Sequence, residues 1–143
     1  MLRQLLVGCA ASFGCIAMHS LFTVVVLSAA RKALGFRIAS PRLHLITVMI
    51  STVSVLMLAH FLEVLIWALT YKLVGAAAPD VDAKYFAFVN YTTLGYGDIL
   101  PTEAWRLIGP ITAMNGVLLF GWSTAIIFEV LRTVSPIELA ATD

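Results

Sequence analysis

Charged side chains are scarce in this sequence. They make up 12% of the 143 residues, whereas an average soluble domain carries about 25%. Hydrophobic residues reach 61%, which is typical of a membrane protein rather than of a soluble or disordered chain. The net charge is only +1 and gives no polybasic patch, so we expect no nucleic acid as a partner.

Cysteine is also rare. The two cysteines, Cys9 and Cys15, lie within the first apolar segment, where we expect small packing residues rather than a disulfide or metal site. That segment contains no arginine, which excludes a voltage-sensing helix. We find no nucleophile or metal constellation typical of an enzyme. We therefore expect no enzymatic activity and no cofactor.

Three apolar segments have the length of about 20 residues that a helix needs to cross a membrane, namely 5–30, 43–73 and 107–128. The first is too long for the apolar part of a secretory signal, and we expect it to be retained. A shorter run, 80–93, cannot cross and is a candidate for a re-entrant helix. The sequence predicts an all-α membrane protein with three transmembrane helices and one re-entrant helix.

Basic residues indicate the orientation of these helices. They concentrate after the first and third segments: Arg31, Lys32, Arg37, Arg42 and Arg132. By the positive-inside rule both regions face the cytoplasm, which places the amino terminus outside and the carboxyl terminus in the cytoplasm. We expect a multi-pass protein of the cytoplasmic, or inner, cell membrane.

Local signals predict where the helices begin and end. Ser40 and Pro41 are typical of the N-cap and first position of a helix, and we expect Trp67 and Tyr71 at the outer membrane interface. Asp80 and Asp82 suit the positive amino end of the re-entrant helix. Pro110 is expected to kink or loosen the start of the third transmembrane helix.

The stretch TTLGYGD, residues 92–98, is irregular in composition where a membrane protein tolerates irregular backbone least. Such backbone is stable in a membrane only where protein buries it or where it lines a watery path. Glycine at alternate positions, Gly95 and Gly97, permits backbone angles that let successive carbonyls point one way. The stretch is therefore a candidate pore lining.

This stretch resembles the selectivity filter of potassium channels, whose best-known form is TVGYG. The resemblance extends from 43 to about 131 and includes Pro101, Trp105 and the run GVLLFG. It implies that ions are coordinated by Thr93, Leu94, Gly95, Tyr96 and Gly97. It implies that Asp98 braces the outer mouth and that the pore helix ends near Thr92. K⁺ is then the permeant ion and the expected metal at this filter.

The sequence departs from the family pattern at the residues that support the filter. Leu94 replaces the commoner valine, although the coordinating carbonyl is unchanged. Tyr85 and Phe86 stand where many relatives carry paired tryptophans, so that either the brace is looser or Tyr85 supplies the hydroxyl. Val89 occupies the place of a buried acid that bonds the filter aspartate in some relatives, and that bond is absent here.

Two ionisable residues, His60 and Glu63, lie three residues apart within the second segment. One interpretation has Glu63 replace the missing acid by bonding the pore helix or the rear of the filter, through Asn90 or Tyr85. The other is an interhelical hydrogen bond that fixes packing. A metal site at His60 and Glu63 would need ligands that we do not find. His19 is expected to be a satisfied interior histidine, although a role in pH-dependent gating stays open.

The third segment contains candidates for the cavity and the gate. Asn115 either faces a cavity or bonds another helix. Gly116 and Gly121 are either bending points or sites of close packing. Glu129 and Arg132 are spaced to pair near the inner mouth, where Glu129 would influence cation entry.

The prediction divides the chain into an additional helix with a basic loop, 1–38, a pore module, 39–132, and a short cytoplasmic tail, 133–143. Four filter segments are needed to surround an ion, so we expect a homotetramer in contact with lipid. The expected function is passive conduction of K⁺ without a voltage sensor or ligand-binding domain. The alternatives are a non-selective cation channel and a non-conducting subunit of a channel complex.

Overall fold

The computed structural model describes residues 1–33, 35 and 40–140, with side chains up to 134. It contains four α-helices: α1 (Leu2–Ala33), α2 (Pro41–Val74), α3 (Ala83–Tyr91) and α4 (Ile108–Ala140). A 3₁₀ turn, Glu103–Trp105, precedes α4. Three helices are long and apolar enough to cross a membrane, and the described part contains no strand. The all-α fold with three membrane-spanning helices is confirmed.

The predicted boundary at 38/39 and Arg37 lie outside the described residues, as do the last three residues of the predicted tail. Helix α4 extends beyond the predicted span and passes Arg132 without interruption. Pro110 does not break it. As the third residue of the helix, Pro110 occupies the first turn, where a backbone N–H has no intrahelical partner to lose.

Helix α2 begins and ends at the predicted residues. Ser40 is extended and Pro41 is the first helical residue, but the Ser40 side chain makes no capping hydrogen bond. Gly75 ends the helix in a left-handed conformation, φ 65°, and its N–H bonds Tyr71 O. With 34 residues the helix is about 50 Å long at 1.5 Å per residue, more than a hydrocarbon core requires.

Helix α1 packs against α2 and α4 of the same chain. Near its start, Gln4 Oε1 accepts a hydrogen bond of 2.8 Å from Leu107 N, and the guanidinium of Arg3 lies 5.0 Å from the centre of the Trp105 ring. The absence of a side chain at Gly8 lets α1 approach Ile111, which would lie 2.8 Å from an added Cβ. The start of α1 thus lies beside the start of α4.

Helix α3 is called the pore helix from here on. It is short because a capping residue stands at each end of its nine residues. Asp82 is its N-cap and accepts a hydrogen bond of 2.9 Å from Lys84 N. Phe86 and Ala87 are buried against α2, and Thr92 ends the helix. The pore helix therefore packs against α2 and α4, and these contacts fix the position of the segment that follows it.

Two apolar clusters form the interior. The larger joins α1, α2, the pore helix and α4 around Trp67, Phe86 and Leu119. The smaller joins α1, α2 and α4 around Leu56 and Ile126. Between them in sequence, on each of the three long helices, lies a buried polar residue, and these residues belong to the site described next.

Candidate functional site

The backbone after the pore helix leaves helical geometry within two residues. Thr93 N donates to Asn90 O at 3.1 Å and Leu94 N donates to Val89 O at 3.0 Å. These bonds close the carboxyl end of the pore helix and fix the starting position of the segment 92–98, called the filter segment below. The carboxyl end of a helix carries partial negative charge, which favours a nearby cation.

The backbone of the filter segment alternates in handedness. The φ angle is 60° at Thr93, 61° at Gly95 and 77° at Gly97, and is not positive at Leu94 or Tyr96. Such alternation turns successive carbonyl groups toward one side of the chain. Thr93 adopts a left-handed conformation although it is β-branched, at a cost of about 1–2 kcal/mol. Strain of this kind concentrates at functional sites.

All seven residues of the filter segment are exposed in the single chain, with 52% of Leu94 and 70% of Tyr96 accessible. Irregular backbone whose N–H and carbonyl groups face lipid is unfavourable. The exposed filter segment therefore needs water or another protein surface around its backbone.

Asp98, at the outer end of the filter segment, accepts a hydrogen bond of 2.7 Å from the hydroxyl of Tyr85. Of the two alternatives for Tyr85, the structure has the one in which it supplies the hydroxyl. Val89 is buried and offers only its backbone carbonyl, to Leu94. The hydrogen bond to the Asp98 carboxylate raises the pKa of the Tyr85 hydroxyl above its ordinary value of 10.0.

The expectation that Trp67 and Tyr71 face the outer membrane interface is wrong. Both are almost completely buried within the chain. Trp67 Nε1 donates to Asn115 Oδ1 at 3.0 Å, and Tyr71 Oη lies 2.6 Å from Thr112 Oγ1. The helical face of α2 that carries them is turned toward α4, so their polar atoms bond α4 rather than lipid headgroups.

The same bonds decide between the alternatives for Asn115. It bonds another helix and is buried, with 2% of its surface accessible, so it does not face a cavity within the chain. Asn90 Nδ2 donates to Tyr71 Oη at 3.2 Å, which ties the pore helix to the same α2–α4 contact.

Gly116 is a site of close packing. An added Cβ would lie 2.1 Å from the carbonyl oxygen of Tyr91, the last residue of the pore helix. No side chain fits there without moving backbone. Gly121, in contrast, has no atom within 4 Å of an added Cβ and is not needed for packing within the chain.

Glu63 is completely buried, and its carboxylate is the centre of a polar cluster. His19 Nδ1 lies 2.7 Å from Oε1, and His60 Nδ1 lies 2.9 Å from Oε2. The hydroxyl of Tyr91 donates to the same Oε2 and lies 2.9 Å from His60 Nδ1. On the other side of the two imidazoles, Ser123 Oγ lies 2.9 Å from His60 Nε2 and 3.4 Å from His19 Nε2.

We call these five residues the Glu63 cluster. They come from α1, α2, the pore helix and α4. Neither Asn90 nor Tyr85 is the partner of Glu63, as one interpretation required. Asn90 is directed to Tyr71 and Tyr85 to Asp98, whereas the final residue of the pore helix, Tyr91, faces α2. Glu63 thus both bonds the pore helix and joins α1 to α2.

A metal site at His60 and Glu63 would need a third ligand, and the fold brings His19 to this position. The ligand atoms of His19, His60 and Glu63 lie within 4.8 Å of one another. A tetrahedral Zn²⁺ with bonds of about 2.0–2.1 Å separates its donors by about 3.4 Å. The separations of 2.7 and 2.9 Å are those of hydrogen bonds, so the arrangement fits shared hydrogens rather than a metal ion.

At the other end of α4, Glu129 and Arg132 form the expected pair. Arg132 Nη2 lies 3.0 Å from Glu129 Oε2, and both side chains are exposed. An exposed pair of this spacing contributes little to stability. Its effect is to offset part of the negative charge that Glu129 places at this end of the helix.

Tyr91 and Ser123 were not among the predicted site residues, and His19 was predicted without a partner. The sequence does carry a signal for the cluster, because each apolar segment contains a polar residue within it: His19 in the first, Glu63 in the second and Ser123 in the third. Polar groups at membrane depth must bond one another, and three such residues on three predicted spans point to a shared cluster.

A family model described as "Ion channel" matches residues 43–133. The match covers α2 from its third residue, the pore helix, the filter segment and α4 as far as Thr133, and it leaves out α1. No curated protein and no solved structure was found to match the chain.

Proposed function

Since this chain belongs to the ion channel family, within the group that has a two-helix potassium-channel pore, we propose that it conducts K⁺ passively and selectively. The observation that carries the proposal is the alternating backbone of the filter segment, with left-handed residues at Thr93, Gly95 and Gly97. Carbonyl oxygens turned to one side replace the hydration shell of K⁺ as the ion sheds water.

Each residue of the filter segment has a distinct role in this proposal. Thr93 offers its hydroxyl and carbonyl to the innermost ion site. The carbonyls of Leu94, Gly95 and Tyr96 form the sites above it, and Gly97 permits the outer turn. Asp98, held by Tyr85, attracts cations to the mouth. Replacement of valine by Leu94 leaves the coordinating atom unchanged.

The functional unit in this proposal is a homotetramer. One chain provides one column of carbonyls, and its exposed Leu94 and Tyr96 need neighbours to cover them. Four copies around a closed symmetry axis satisfy both requirements. We place the assembly in the cytoplasmic membrane with the amino terminus and the filter mouth outside, on the basis of the basic residues at the end of α1, Arg31 and Lys32, and at the start of α2, Arg42.

Conduction in this proposal is passive and insensitive to voltage. The basic residues of α1 are confined to its ends, Arg3, Arg31 and Lys32, so its membrane-embedded part carries no gating charge. Opening therefore depends on the filter and its supports rather than on movement of charged helices.

The test is ion flux from the purified full chain in liposomes under gradients of K⁺, Na⁺ or Cs⁺. We expect K⁺ flux well above Na⁺ flux. Gly95→Ala serves as the inactive control because its Cβ opposes a φ of 61°. Equal K⁺ and Na⁺ flux would assign a non-selective cation channel. Absence of flux from a folded tetramer would assign a subunit that conducts only with another chain.

A further inference from the structure

We propose that the Glu63 cluster is a binding site for one proton, and that this proton holds the end of the pore helix in its conducting position. The binding site itself stands on the geometry of the cluster, and only its effect on conduction rests on the proposed function. The proton is counted relative to an ionised Glu63 and two neutral histidines.

The first observation is a shortage of hydrogens. The cluster contains six polar pairs: His19 with Glu63, His60 with Glu63 and with Tyr91, Tyr91 with Glu63, and Ser123 with each histidine. One hydrogen on His60 Nδ1 can be shared between Glu63 Oε2 and the Tyr91 hydroxyl, so five hydrogens suffice for the six pairs. Two neutral imidazoles, a phenol and a hydroxyl supply four hydrogens to these pairs. One pair is then left with two facing lone pairs. A fifth hydrogen completes every pair, with Ser123 accepting from one imidazole and donating to the other.

The second observation is charge. Glu63 has no accessible surface, and within the described part of the chain no lysine or arginine pairs with it. An uncompensated carboxylate at membrane depth is costly. One bound proton makes the cluster neutral. The count of hydrogens and the count of charges therefore point to the same proton.

Each helix packed against the cluster contributes polar or titratable groups to it. Helix α1 contributes His19 and Cys15, whose Sγ lies 3.9 Å from the Glu63 carbonyl. Helix α2 contributes His60 and Glu63, and the pore helix contributes Tyr91. Helix α4 contributes Ser123, whose hydroxyl does not ionise in the physiological range.

The cluster reaches the filter segment through one residue. Tyr91 donates to Glu63 with its side chain, and its carbonyl rests against Gly116 of α4. The next residue, Thr92, begins the filter segment. Loss of the proton leaves a buried negative charge at Glu63 and an unfilled pair at Ser123. The favourable response is hydration of the cluster, which frees Tyr91 and with it the end of the pore helix.

A route for exchange of the proton lies beside the cluster. A cavity of about 350 Å³ is lined by His60, Tyr91 and Ser123 and by Thr92 of the filter segment. Three of the five cluster residues therefore border open space, through which the proton can exchange.

The direct test is nitrogen NMR of the histidine rings in liposomes, in which comparison of the wild-type chain with His44→Gln identifies the signal of the third histidine. At neutral pH we expect either one ring protonated on both nitrogens, or one ring protonated on Nε2 alone with the proton on Glu63. Two neutral rings that both carry hydrogen on Nδ1 would overturn the proposal. This readout does not require conduction, so it is independent of the proposed function.

The functional test is K⁺ flux as a function of pH. We expect flux to be lost as pH rises, because the proton leaves and the uncompensated carboxylate disrupts the cluster. Glu63→Gln needs no neutralising proton and should abolish this pH dependence. Ser123→Ala removes a hydrogen bond to a charged ring and should move the midpoint about 1 pH unit lower.

Thr47→Ala is the matched control, because this hydroxyl bonds the Leu43 carbonyl of its own helix, at 2.8 Å, and does not line the cavity beside the cluster. We expect it to titrate as wild type. If flux falls equally in wild type and in Glu63→Gln as pH rises, the proposed role of the cluster is wrong. If Glu63→Gln does not fold, Ser123→Ala provides the test. An unchanged midpoint of the pH dependence of K⁺ flux in this variant would contradict the proposal.

Discussion

Tyr85 and Asp98 form the hydrogen bond that braces the outer end of the filter segment, at 2.7 Å. Relatives that carry tryptophans and a buried acid brace this position differently, and here a single phenol on the exposed face of the pore helix supplies the donor. Because both partners lie near the mouth, the bond is open to water and easier to break than a buried one.

We predict that Tyr85→Phe leaves K⁺ selectivity intact and accelerates the loss of conduction during sustained flux, since Asp98 loses its donor. The measurement is the decay of K⁺ flux in liposomes. Asp98→Ala should have a similar effect. If the pair acts as a unit, the double variant decays no faster than either single variant, and additive decay rates would show that the two residues act separately.

The raised pKa of Tyr85 determines where this bond responds to pH. A phenol whose pKa is raised in the folded state favours folding below its ordinary value of 10.0, and this contribution is lost as pH rises through the raised value. The Tyr85 hydroxyl therefore keeps its hydrogen and remains a donor to Asp98 between pH 6 and 9. Any change of flux between pH 6 and 9 must come from other groups, which separates this pair from the Glu63 cluster.

At the scale of elements, the decisive contact joins α4 to the carboxyl end of the pore helix. Gly116 lies directly against the Tyr91 carbonyl, and an added methyl group would come within 2.1 Å of that oxygen. The oxygen belongs to backbone and cannot rotate away. The approach of α4 therefore depends on glycine at this position.

We predict that Gly116→Ala destabilises the folded chain by about 3 kcal/mol or more, because backbone must shift to admit the methyl group. Gly121→Ala, one and a half turns later on the same helix, has space for its Cβ and should match or exceed wild-type stability. Thermal unfolding in detergent compares the two. Equal midpoints for both variants would contradict the close packing at Gly116.

Helix α1 has a structural role that the family match does not cover. It lies outside the matched residues 43–133, yet it supplies His19 to the Glu63 cluster and the Gln4 side chain to the amino end of α4. The backbone N–H of Leu107 would otherwise need another partner. Helix α1 is therefore part of the support of the pore helix rather than a separate anchor.

At the scale of the whole molecule, a single chain is incomplete. Its filter segment is exposed, and many large apolar side chains of α2 and α4 face outward. Lipid can cover apolar helix faces but not the carbonyls of irregular backbone. The homotetramer proposed above would satisfy both kinds of surface.

We predict that K⁺ stabilises the assembled protein more than Na⁺ at equal ionic strength, because an ion that binds only the native filter shifts the folding equilibrium. The gain is about 2.7 kcal/mol when K⁺ is at 100 times its dissociation constant. Thermal dissociation of the tetramer in the two salts measures it. Gly95→Ala should remove the difference, and a K⁺ effect that survives in Gly95→Ala would place the ion elsewhere.

The sequence by itself determined the three spans, the short pore helix with Asp82 at its start, and the position of the filter segment. These features are local: length, apolar composition, a capping acid and alternate glycines suffice to specify them. The pairing of Glu129 with Arg132 followed from helical spacing in the same way.

Only the tertiary structure decided which buried polar groups meet. The residues of the Glu63 cluster are separated by up to 104 positions in the chain, and which face each helix turns inward depends on packing against the other two. For the same reason Trp67 and Tyr71 bond α4 although their position in sequence is typical of the membrane interface. In a uniformly apolar helix the hydrophobic pattern does not mark the inner face, so contacts between helices settle it.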